Sequence, residues 1–156
     1  MAYRPDIVIR GKDGELLAVV TVTNPRSLSR DIVVELHRDV VAYDTGRDAP
    51  YSLLLSQKHG FLWTSTGPQD TSCAEFPMEA VVARYFPSLG EQERLRGREL
   101  ELILFQWLVN LTLAPHEATE EPEKSLAACG FLSAIQGASV TVETGQPDNR
   151  MLALAT

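Results

Sequence analysis

Residues 6–23, DIVIRGKDGELLAVVTVT, decide the fold. Two β-branched runs, 6–10 and 16–23, flank the segment GKDGE. Asp13-Gly14 is a two-residue hairpin signal, because a type I′ turn needs positive φ at both central positions. If those two residues form the turn, Lys12 faces Glu15, paired residue numbers sum to 27, and Asp6 falls opposite Thr21. Thr21 and Thr23, spaced i, i+2, then project from one face at the end of an apolar strand.

Asn24-Pro25 breaks that strand, and residues 27–44 read as a helix. Leu28, Ile32, Val33, Leu36, Val40 and Tyr43 form one stripe at 3.6 spacing, with Asp31, Glu35 and Arg38 on the other side. YSLLLS (51–56) and FLWTS (61–65) read as two short strands around the turn QKHG. Beyond a Gly/Pro/Ser/Asp linker at 66–72, Met78, Val81, Val82, Tyr85 and Phe86 predict a short amphipathic helix that stops before Pro87. Residues 91–113 form the longest helix candidate, charged in its first half and apolar nearly all round in its second. Such a helix is central in a core or covered by a partner. EATEEPEK (117–124) reads as a solvated acidic loop, SLAACGFLSAI as a helical stretch interrupted at Gly130, and ASVTVET as a last strand at about 139–144. The expected fold class is α/β (α+β): one domain over 1–156 with a mixed β-sheet, an N-terminal antiparallel hairpin and flanking helices. A hairpin followed at once by a helix argues against a doubly wound parallel sheet.

Composition narrows the function. Hydrophobic residues at 44% and charged residues at 22% are ordinary globular usage, which excludes a disordered chain or a coiled coil. A net charge of -7, from 14 basic and 21 acidic residues, works against a broad phosphate-binding surface. Cys73 and Cys129 have no CxxC spacing and read as free thiols; His37, His59 and His116 are scattered and read as surface or turn histidines. No signal peptide is apparent at the start, and no apolar run approaches the roughly 18 residues of a membrane span. The expectation is a cytoplasmic protein without a membrane partner.

RPDIVIRGKDGELLAVVTVTN, with Pro5-Asp6 opening the first strand, the hairpin about Asp13-Gly14 and a helix after the second strand, resembles the core of the PD-(D/E)XK nuclease superfamily. PYSLLLSQKHGFLW is similar to the third and fourth strands of its bacterial members, so the resemblance covers about residues 4–65 and extends to the last strand; the domain's helical part is expected at 75–130. It implies a restriction-endonuclease-like core. In active members the PD aspartate and a second acid hold Mg²⁺ through hard oxygen ligands, and a lysine stabilises charge or helps activate the attacking water. Asp6 carries over as the metal-binding aspartate. The acid position falls on Thr21 and the lysine position on Thr23, neither of which supplies a charge. The resemblance also implies a glutamate-bearing helix before the first strand; five residues precede Asp6, so that helix is not expected here.

Thr21 and Thr23 therefore read as remains of a metal site, beside the ordinary reading that threonine is a good strand residue. Three functions stay open: a catalytically inactive nuclease-like domain that binds or regulates, and needs no cofactor; a Mg²⁺-dependent nuclease whose acid and base have migrated; and a small self-associating structural protein. Migration candidates are Glu35, Lys12, Lys58 and Arg38, each with a plain alternative. Lys12 and Lys58 sit in turns, and Glu35 with Arg38 suits an i, i+3 surface pair. Self-association is expected as a homodimer through Leu102, Leu104, Phe105, Leu108 and Val109 of the long helix, with the helix at 78–86 as the competing lid. A protein partner suits the first function; nucleic acid is left undecided.

Overall fold

The computed structural model describes residues 6–23, 30–42, 49–65, 74–89, 95, 97–113 and 119–142. Expectations for Pro5, 24–29, 43–48, 66–73, 114–118 and 143–156, among them Cys73, His116 and the linker, lie outside them. Along the chain the described elements are β1 (Ile7–Arg10), β2 (Leu16–Val22), α1 (Arg30–Ala42), β3 (Tyr51–Leu55), β4 (His59–Thr64), β5 (Ala74–Pro77), α2 (Glu79–Tyr85), α3 (Gly97–Leu113), α4 (Glu123–Ala128), α5 (Phe131–Ala134) and β6 (Ser139–Val142). Six strands form one mixed sheet in the order β5-β4-β3-β2-β1-β6. Only β2 and β3 run parallel, and α1 is the crossover between them. No helix among the described residues is long and apolar enough to cross a membrane.

The hairpin departs from the expected turn. Gly14 N–H donates to Gly11 O at 3.0 Å and Gly11 N–H to Glu15 O at 2.8 Å. The loop is thus three residues, Lys12 to Gly14, and Gly11 rather than Lys12 faces Glu15. A type I′ turn would place Asp13 at positive φ; here Gly14 alone takes it, at +83°. The longer loop moves the pairing by one, so Arg10 pairs with Leu16. A β-bulge then leaves Leu17 extra on β2, and Ile9 pairs with Ala18 and Ile7 with Val20. The two shifts cancel, and pairing at the far end follows the sum expected from a two-residue turn.

Alternation along the strands builds two cores. Ile7, Ile9, Ala18, Val20, Leu53, Leu55, Leu62 and Phe76 face α2, α3, α4 and α5 on one side of the sheet. Val33 of α1 meets Leu54, Phe61 and Trp63 on the other. Strands buried on both faces read as continuous apolar runs, which is why LLL at 53–55 has no polar alternation. At Gly60 an added Cβ would clash with the edge of the Phe76 ring, so β4 and β5 approach this closely only without a side chain there.

Several expectations need correction. The long helix is central: Leu100, Leu104, Trp107, Leu108 and Leu111 are buried within this chain. Leu104 and Leu108 are therefore unavailable to a partner, while Leu102 is 57% exposed and Phe105 and Val109 are half-buried. His37 is not a surface histidine; it is 3% exposed and stacks on Trp63 with ring centroids 4.0 Å apart. AEFP at 74–77 is a strand, β5, which ends on proline at the sheet edge where no ladder N–H is needed. The acidic run is not simply solvated either. Glu123 opens α4 and is buried, accepting Arg84 Nη1 at 2.6 Å, Arg84 Nη2 at 3.0 Å and Trp107 Nε1 at 3.1 Å. That carboxylate ties α2, α3 and α4 together. Burial pushes its pKa up, but the bonds from Arg84 and Trp107 outweigh burial and hold it below the ordinary range.

Candidate functional site at the carboxyl ends of the parallel strands

β2 and β3 end side by side: Val22 pairs with Leu55, and Thr23 N–H donates to Leu55 O at 2.9 Å. In open mixed sheets the carboxyl ends of parallel strands are where side chains are free to meet a ligand. Asp6 stands at this end, one residue before β1. Its N–H donates to Val20 O at 2.9 Å, and its Oδ2 accepts Val22 N–H at 2.7 Å. Asp6 thus brackets Thr21 across the hairpin, with a side-chain oxygen standing in where a backbone carbonyl would extend the ladder. Thr21 and Thr23 are half-buried beside it.

Two further segments reach the same end. In the β3–β4 turn, Ser56 N–H donates to His59 O at 2.8 Å. Gln57 is buried there, and its Oε1 accepts Leu95 N–H at 2.8 Å, pinning the approach to α3 against the turn. Lys58 is exposed, and its carbonyl accepts Met78 N–H at 2.9 Å. Gln57 and Lys58 form one wall of a groove of about 220 Å³ with Glu79, Val82, Phe86 and Leu89. On α3, Glu101 comes close enough to sense Asp6. Burial raises the Glu101 carboxyl, the Asp6 charge raises it further, and Arg98 opposes both. Burial likewise raises Asp6, against the bond from Val22.

Asp6, Thr21, Thr23 and Lys58 therefore share one end of the sheet. Lys12 does not. It lies in the hairpin loop six residues beyond Asp6, about 20 Å away at strand rise, and covers Gly137, where a Cβ would sit 2.9 Å from Lys12 Cε. Glu35 and Arg38 are exposed on α1, about 7 and 12 Å along a helix that leads away from this end. Glu101 escaped the sequence reading because nothing local in RELELILF says which strand end a helix flank will meet. Among the described residues, no group of three or more His, Cys, Asp or Glu side chains is placed to hold a metal ion. Comparison with protein families, with characterised proteins and with solved structures found no match.

The geometry gives Asp6 a testable structural role. Its raised pKa means that its contribution to stability is fully present below the unfolded value and lost as pH rises through the folded value. The charge is thus a cost at neutral pH, whereas the accepted Val22 bond is a gain. Asp6→Asn keeps an acceptor and sheds the charge, so at pH 7 it should be at least as stable as the parent in urea unfolding. Asp6→Ala leaves Val22 N–H without this partner and should lose about 1–2 kcal/mol. Equal losses in both variants would show that the charge itself is needed.

Proposed function

We propose that this chain is a catalytically inactive, nuclease-like binding module whose partner is a protein. The observation that carries the reading is the Asp6 Oδ2 bond to Val22 N–H at 2.7 Å: the motif aspartate is engaged in holding the hairpin end together. Its neighbours at the acid and lysine positions, Thr21 and Thr23, offer neutral hydroxyls, which bind a hard cation poorly and stabilise no anionic transition state. The net charge of -7 favours a protein over a polyphosphate as the partner. The reading places the protein in the cytoplasm and calls for no cofactor.

Two observations favour the second reading, a Mg²⁺-dependent nuclease with migrated residues. Glu101 lies near Asp6, and Lys58 stands at the same sheet end. The two readings separate in a cleavage assay on plasmid and single-stranded DNA and on RNA, with Mg²⁺ or Mn²⁺. The binding module should cut none of them above background. Metal-dependent cutting that vanishes in both Asp6→Ala and Glu101→Ala would establish the nuclease and retire the binding module.

A further inference from the structure

We propose that the groove between the β3–β4 turn and α2 binds a free apolar α-amino acid, its zwitterionic head between Lys58 and Glu79 and its side chain over Val82 toward Phe86. The inference is independent of the binding-module reading, which rests on Asp6. The groove is polarised by the way α2 begins. Lys58 O accepts Met78 N–H at 2.9 Å, continuing the β4–β5 pairing that ends with His59 and Pro77. Glu79 follows Met78 and opens α2, so Lys58 and Glu79 stand side by side at one end of the groove. Glu79, Val82, Ala83 and Phe86 are spaced i, i+3, i+4 and i+7, one stripe of the helix, and all four line the groove. Helical rise puts Phe86 about 10 Å from Glu79. Leu89 N–H donates to Phe86 O at 3.1 Å, which holds Leu89 beside it at the apolar end. Val82 is buried and makes the floor between the two ends.

The charges select the ligand. Lys58 and Glu79 are both exposed, and neither side chain has a hydrogen bond or ion pair among the described residues. A ligand bearing only a carboxylate would gain Lys58 but face Glu79, and one bearing only an amine would meet the reverse. A carboxylate and an ammonium on one carbon answer both at once. Gln57, the remaining polar lining residue, has its Oε1 committed to Leu95 N–H at 2.8 Å. Val82, Phe86 and Leu89 offer no polar side-chain atom, so the group beyond that carbon must be hydrocarbon or thioether. Size points the same way. Pockets for drug-sized ligands run from about 300 to about 1,000 Å³, and a groove of about 220 Å³ suits a smaller molecule such as leucine, methionine or phenylalanine.

The test is a titration of the ¹⁵N-labelled full chain with L-leucine to tens of millimolar, followed by amide NMR shifts. Saturable shifts are expected at Lys58, Glu79, Val82 and Phe86, with a millimolar dissociation constant suited to so small a ligand. Glycine, which has no side chain, should give no saturable shift. N-acetyl-L-leucine lacks the ammonium and L-leucinamide the carboxylate; each should bind about threefold to fivefold more weakly, the range of an exposed ion pair. Lys58→Met and Glu79→Gln should each weaken L-leucine to the same extent with an unchanged circular dichroism spectrum. Glu79→Gln should also abolish the preference for L-leucine over its N-acetyl form, and Lys58→Met the preference over the amide.

No saturable shift with L-leucine would overturn the proposal. Equal binding of leucine, its N-acetyl form and its amide by the parent chain would do so too, since the groove would then be a plain apolar surface. Tighter binding of a capped peptide with an internal leucine would overturn it in favour of a protein segment as the occupant.

Discussion

Trp107→Ala is expected to remove about 4 kcal/mol of stability, the range for deleting a buried tryptophan. Trp107 is 1% exposed and sits mid-helix among Leu100, Leu104, Leu108 and Leu111, so all of the helical core loses its centre. A small domain holds about 5–15 kcal/mol in total, and the variant should be partly unfolded at body temperature. Trp107→Phe keeps a six-membered ring in the core but gives up part of the packed volume and the Nε1–H bond to Glu123, so a smaller loss of about 2 kcal/mol is expected. Thermal unfolding followed by circular dichroism separates the two. A Phe variant as damaged as the Ala variant would mean that the polar tie, not the packed ring, dominates.

Glu123→Ala should cost about 2–3 kcal/mol, because Trp107 Nε1 is then left without an acceptor in the core. Arg84→Ala should cost about 2 kcal/mol as well: the Arg84 side chain is itself 44% exposed, but its loss leaves the buried Glu123 carboxylate without two of its three bonds. The sign with pH is specific. Glu123 is held below its ordinary value near 4.5, so its stabilisation is present above the unfolded pKa and lost as pH falls through the folded one. Asp6 and Glu101 run the other way, since both are raised. Urea unfolding should therefore show Glu123→Gln weaker than the parent at pH 7 and level with it in strong acid. A deficit persisting unchanged into strong acid would assign Glu123 a purely steric role.

Much of the fold was legible because local patterns and tertiary demands agree. β-branched alternation located β1 and β2, and the apolar stripe at 3.6 spacing located α1, although its Ile32 is 39% exposed. β5 was not legible: AEFP is too short and too polar to show a period, and it is a strand only because β4 supplies a ladder. Glu123 was hidden by its neighbours. Four glutamates in EATEEPEK look alike in sequence, and only the arrival of Arg84 and Trp107 from distant helices distinguishes one of them. The candidate site was half visible. Asp6, Thr21 and Thr23 follow from strand pairing, whereas Glu101 depends on how a helix is laid across the sheet.

The paired irregularities of the first hairpin bear on how this chain can change length over evolution. Deleting one loop residue at 12–14, or Leu17 alone, would slide β2 by one position. That slide would carry Thr21 to the opposite face and move Val22 N–H out of reach of Asp6. Deleting both restores the pairing. Insertions and deletions at these two places should accordingly be inherited together, and an alignment of descendants that scores each gap separately would misplace the strand end on which Asp6 depends.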